Sequence, residues 1–95
     1  MNDIVMCCVE CGSNFTHQGA IDVFMRRHED ASDGLHVFVG INESVVVDRN
    51  IQSNPSPRRN GLSVELCCEE CGAVSHLNVY QQKGETYVTT TREVG

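Results

Sequence analysis

Apolar residues along this chain recur mostly at every second position, which is the period of a β-strand with one face turned inward. Leu62, Val64, Leu66 and Cys68 alternate in this way, and so do Ile4, Met6 and Cys8. The runs Leu35–Ile41 and Ser44–Val47 are rich in β-branched residues and read as strands. Leu77–Tyr80 and Thr86–Thr89 flank Gln81–Glu85, a short glycine-containing hairpin connection. Ala20–His28 fits either period: Ile21, Val23 and Met25 suit a strand, whereas Ile21, Phe24, Met25 and His28 suit a helix face. The strand reading is preferred, because Gly19 rather than a capping residue precedes the segment. Two polar breaks interrupt the pattern, Glu29–Gly34 and Asp48–Gly61, the second holding both prolines. A loop of that length is mobile or functional.

One internal repeat crosses this pattern. Met6-Cys7-Cys8-Val9-Glu10-Cys11-Gly12 and Leu66-Cys67-Cys68-Glu69-Glu70-Cys71-Gly72 align at a constant offset of 60. Each copy is a short apolar segment leading into Cys-x-x-Cys-Gly. Two cysteines at that spacing reach one ion when the backbone between them turns tightly, and the following glycine accepts the positive φ such a turn ends on. Two knuckles facing each other make a closed four-sulfur site. The expected ligands are Cys8, Cys11, Cys68 and Cys71, holding one structural Zn²⁺ per chain. A disulfide framework, a thioredoxin-like redox pair and a rubredoxin-like iron site use the same residues. No βαβ pattern surrounds either pair, which weighs against the redox reading, but spacing alone does not separate zinc from iron.

Cys7 and Cys67 each precede a ligand by one residue, so on a strand they point to the opposite face. The plain reading is two small thiol side chains. The sharper ones are a mutual disulfide, or a second metal completed by His17 or His76.

At 95 residues the chain is expected to form one domain, 1–95, with a core thin enough to need a metal or disulfides. The first residues have no basic segment followed by an apolar one, and no stretch approaches the roughly 20 apolar residues of a membrane span. A reducing cytoplasm is therefore expected, where paired cysteines favour metal over disulfide. The formal charge of −6 argues against a broad phosphate-binding surface. Arg49, Arg58 and Arg59 nonetheless lie in a stretch (49–64) free of carboxylates and are the candidate partner-binding residues, to which a nucleic-acid partner would add Arg26 and Arg27. No nucleophile elbow or glycine-rich phosphate loop is present, and a closed Cys₄ site has no position for an activated water. No enzymatic activity is expected.

The string Cys8-x-x-Cys11-Gly12-Ser13, then Asn54-Pro55-Ser56-x-Arg58-Arg59-x-Gly61-Leu62, then Cys68-Glu69-x-Cys71-Gly72 and Gln82-Lys83-Gly84-x-Thr86-Tyr87-Val88 resembles a group of small zinc-ribbon proteins of bacteria, phages and prophages. The resemblance implies a metal knuckle pair on a small β fold. The stretch 12–67 between the second and third cysteines is far longer than one hairpin, so the fold class expected is a mainly β, zinc-ribbon-like antiparallel sheet with strands inserted between the knuckles. The preferred functional expectation is a protein-interaction module presenting the 48–61 loop to an unknown protein partner. Nucleic-acid binding is the alternative, opposed by the charge and by only five aromatic residues. A purely structural part of a larger complex is the third reading.

Overall fold

The structure, a computed structural model, describes residues 3–92. Six strands form one antiparallel sheet: β1 (Thr16–Arg26), β2 (Gly34–Val39), β3 (Val45–Asp48), β4 (Gly61–Cys68), β5 (Val74–Gln82) and β6 (Glu85–Arg92). Their order is β3-β2-β1-β4-β5-β6, two three-stranded meanders joined where β1 pairs with β4. No described residue is helical, so no helix is long and apolar enough to cross a membrane. The strand insertion expected between the knuckles is present: β1 to β4 all lie between Gly12 and Cys68.

The ambiguous segment 20–28 is a strand as far as Arg26. On it Phe24 is 1% exposed, while Met25, which a helix would place on the same buried face, is 48% exposed. Between Gln18 and Ile21 the β1 register against β4 slips, leaving Gly19 and Ala20 opposite Glu65. This bulge explains why the period is hard to read there: residues on either side of it keep one face only by skipping a position. At the β5–β6 turn, Lys83 and Gly84 both take positive φ (51° and 78°), the two-residue geometry that matches strand twist.

The expectation of a strand over Ile4–Cys8 is not met. In the second repeat copy, the equivalent residues are β4, which lies beside β5. The corresponding place beside β1 is already taken, because β2 and β4 occupy both its edges. Residues 4–8 find no ladder to join, and Ile4 and Val5 stay 85% and 64% exposed.

Cross-strand register sorts the side chains into two unlike faces. On one, Val47, Val37, Val23, Leu62, Val79 and Val88 stand opposite one another in a continuous row from β3 to β6. A second row beside it runs Val45, Val39, Ile21, Val64, Leu77 and Thr90. The other face is mostly polar or aromatic, carrying Asp22, Phe24, His36, Ser63, Asn78 and Tyr80.

The loop between β3 and β4 folds back over this second face. Ile51 (6% exposed) and Ser56 (0%) are buried there. Gly61 permits the close passage, since a Cβ at that position would run into the Asn54 side chain and Pro55. Among the described residues the buried apolar side chains are few: Phe24, Ala31, Ile51 and Leu66, with Cys8 and Cys68.

Candidate metal centre

Each knuckle is built by the same hydrogen bonds, which is why the repeat is visible in the sequence. The Cys8 N–H donates to Ser13 O (2.8 Å) and Gly12 N–H to Cys8 O (3.0 Å). In the second copy, Cys68 N–H donates to Ala73 O (2.9 Å) and Gly72 N–H to Cys68 O (3.1 Å). Gly12 and Gly72 close the two turns at φ 78° and 75°, a conformation that residues with a Cβ rarely adopt. The second knuckle connects β4 to β5. The first precedes β1 and crosses the end of the apolar face. It is fixed by Glu69 N–H to Phe15 O (2.9 Å), Thr16 Oγ1 to Met6 O (3.3 Å) and the Glu10–Arg92 ion pair (2.8 Å).

Facing each other, the knuckles bring the sulfurs of Cys8, Cys11, Cys68 and Cys71 within 4.8 Å of one another. The Cys8–Cys71 and Cys11–Cys68 pairs are both 3.6 Å apart. A disulfide needs about 2.05 Å, so these are not bonded pairs. A tetrahedral ion with metal–sulfur bonds of about 2.3 Å spaces its ligands about 3.8 Å apart, which the observed separations nearly match. The four residues can therefore hold a metal ion, and among the described residues they are the only cluster of three or more such ligands.

The knuckle amides also divide the thiols into two kinds. The Cys71 N–H lies 3.5 Å from Cys68 Sγ, and the Glu10 N–H 3.4 Å from Cys8 Sγ. The Cys71 amide is the main reason the Cys68 pKa falls to about 6, and the Cys11 amide the main reason Cys8 is lowered. Cys11 is pushed up to about 12: the Ser13 amide favours its thiolate, but the crowding sulfurs, Cys71 first, outweigh it. Cys71 is raised in the same way, by Cys8 against the Ala73 amide. Cys8 and Cys68 are thus the more acidic pair, and a cation at the centre would offset the repulsion that raises Cys11 and Cys71.

The remaining candidates lie elsewhere. Cys7 Sγ sits 3.1 Å from Asn14 Oδ1, and Cys67 Sγ 3.9 Å from Glu65 Oε1 on the polar face. His17 pairs with Glu69 at 3.0 Å, both groups exposed, and neither His17 nor His76 joins a metal-ligand cluster. Arg58 binds Asp30 (2.6 Å) and Glu29 (2.7 Å), Arg59 binds Glu29 (2.8 Å), and Arg49 binds Asp33 (3.3 Å). Their carboxylate partners come from the 29–33 turn, and the 48–61 loop is clasped to the sheet instead of standing free.

Arg26, grouped with the surface cations from its sequence, has another role. Its guanidinium donates to the carbonyls of Ala31, Ser56 (3.0 Å) and Arg59 (3.0 Å), tying both long loops to the end of β1. Ser56 Oγ then donates to Gln81 O (2.7 Å) and accepts from Arg59 N–H (2.8 Å), while Asn54 holds Ser56 N–H and Arg59 O. The Asn-Pro-Ser-x-Arg-Arg segment is thus a latch. Its position at the end of a strand, on the polar face shared with Asp22 and Phe24, is the only trace Arg26 leaves in the sequence.

A second unannounced cluster is Asp22–His36–Asp48. His36 Nε2–H donates to Asp22 (2.7 Å) and Nδ1–H to Asp48 (2.9 Å), with the ring stacked on Phe24 at 4.7 Å. Both nitrogens donate only in the imidazolium. Burial pulls the His36 pKa down, but Asp22 and Asp48 outweigh it and the net shift is upward. Asp48 is lowered, chiefly by the Asn50 amide and then by His36. The raised His36 pKa adds stability that is complete below its unfolded value of about 6.5 and disappears as pH rises through the folded value. The lowered Asp48 pKa adds stability present above its unfolded value of about 3.9 and lost as pH falls through the folded one. Thermal melts of the metal-loaded chain are expected to show this alkaline decline, and His36→Gln to remove it. A wild-type minus His36→Gln difference that stays constant from mildly acidic to alkaline pH would refute the assignment.

Compared with known proteins, the chain matches no family model, no curated protein and no solved structure.

Proposed function

We propose that this chain is a zinc-clamped protein-interaction module without a reaction of its own, whose knuckle pair on a small β fold resembles that of the small zinc-ribbon proteins of bacteria, phages and prophages. The observation that carries the reading is the pairing of a closed four-sulfur site with a sheet whose apolar face is left open. Four thiolates fill every position of a tetrahedral ion, leaving none for substrate or water, and such sites serve as cross-links. Zinc suits four soft sulfurs at this spacing and would be held by Cys8, Cys11, Cys68 and Cys71. The arginines that would favour nucleic acid are engaged by Glu29, Asp30 and Asp33. With a net charge of −6, the protein partner is the better-supported one.

The test is affinity capture from the native cell, using wild-type chain and a variant with a charge placed on the apolar face. Recovery of the same protein by wild type and not by the variant is expected. Equal recovery of nucleic acid by both, with no protein, would overturn the reading.

A further inference from the structure

The open apolar face poses a physical problem. Sheets expose one face to water when that face is polar, and here the polar face is the one the 49–60 loop covers. The two rows crossing all six strands contain no charged residue and a single polar one, Thr90. At their ends Val45, Val47 and Val88 are 60%, 60% and 58% exposed. Monomeric proteins rarely leave so large a contiguous apolar patch in water.

We infer that this face is covered by a second copy of the chain, packed sheet on sheet. The inference rests on the interaction-module reading and names its partner. Three observations select a like chain. First, the size fits: six strands at ~4.8 Å spacing span about 24 Å. With the two rows along the strands and the exposed Met25–Leu35 pair beside them, the face projects on the order of 400 Å² and more as accessible surface, approaching the ~600–800 Å² per partner of stable complexes. Second, the charge fits: the net −6 lies on the polar face, the loops and the knuckles, so two copies meet here without opposing like charges across the apolar rows. Third, the rows are self-complementary. Val and Leu in register present the same ridges to a two-fold mate, as an isologous interface requires, and two twisted sheets pack this way about 10 Å apart. Pairing would also convert the half-wet residues Val23, Leu62 and Val79 into the interior of a sandwich. The metal knuckles, at the end of this face, would then lie beside the sandwich and not inside it.

Sedimentation of the metal-loaded chain over a micromolar to millimolar series is expected to give a mass near twice 10.5 kDa. The double variant Val47→Glu/Val88→Glu changes outer-strand residues that a lone copy leaves exposed, and places four carboxylates in the assembled face. It is expected to sediment as a monomer while keeping one metal per chain. As a second measurement, isotope-filtered methyl spectra of mixed labelled and unlabelled wild type should show contacts between copies at Val23, Leu62 and Val79. A wild type that is monomeric throughout overturns the inference, as does a dimer lacking those contacts or unmoved by the double variant. A monomer that still captures a distinct protein through this face would sink the dimer and leave the interaction-module reading standing.

Discussion

Cys8→Ser, Cys11→Ser, Cys68→Ser and Cys71→Ser are each expected to abolish metal retention and cooperative folding, whereas Cys7→Ser and Cys67→Ser leave both intact. The difference follows from where the sulfurs point. Four converge within 4.8 Å, while Cys7 turns to Asn14 and Cys67 lies on the other side of β4 from Cys68. The size follows from the thin core. Structural zinc in small peptides contributes ~10–16 kcal/mol of apparent binding free energy, which matches or exceeds the ~5–15 kcal/mol net stability of an ordinary domain. Elemental analysis of the six variants, with circular dichroism before and after chelation, measures both quantities. Cooperative unfolding that survives complete metal removal would defeat the idea that the knuckles hold the fold. Equal metal loss from all six variants would show that the four-sulfur set is incomplete.

Arg26→Met is expected to be the most damaging change outside the knuckles, lowering stability by about 3–5 kcal/mol, because it strands the Ala31 and Ser56 carbonyls that a charged donor now satisfies and leaves Arg59 O with Asn54 alone. Those of Ala31 and Ser56 belong to buried residues that water does not readily reach. The neighbouring Arg58 and Arg59 make more ion pairs, yet their side chains are 48% and 37% exposed. Ion pairs in that setting contribute about 0–1 kcal/mol, so Arg58→Ala and Arg59→Ala should be mild. Urea titration of the three metal-loaded variants decides the matter. If Arg26→Met shifts the midpoint no further than Arg58→Ala, the loops are held by something other than this latch.

The sequence disclosed most where local chemistry repeats. Cys-x-x-Cys-Gly makes its own turn from its own amides, so the four ligands were legible before any tertiary structure was known. The strands were legible where alternation was uninterrupted, as in 62–68. It failed at two kinds of place. Ile4–Cys8 alternates as well as Leu62–Cys68 does, but whether a strand forms depends on a vacant neighbour, and β1 has none. The roles of Arg26, Arg58 and Arg59 depend on the 29–33 turn and the 49–60 loop meeting across the sheet end, far apart along the chain. Likewise nothing near His36 announces that Asp22 and Asp48 will arrive from strands on either side.

The β3-β2-β1-β4-β5-β6 order has a consequence for how the chain is held together in time. Every strand contact except β1–β4 joins neighbours in sequence, so residues 16–48 and 61–92 are each a local meander that can form by zipping hairpins. With the knuckle that precedes β1 counted in, residues 8–48 and 61–92 each carry one knuckle and two sulfurs, half a coordination sphere. An ion held by the four cysteines would then be a rivet between the two halves, and the 49–60 segment is the tether that keeps them at high mutual concentration. A cut within that segment would leave two fragments joined by the β1–β4 ladder and four metal–sulfur bonds.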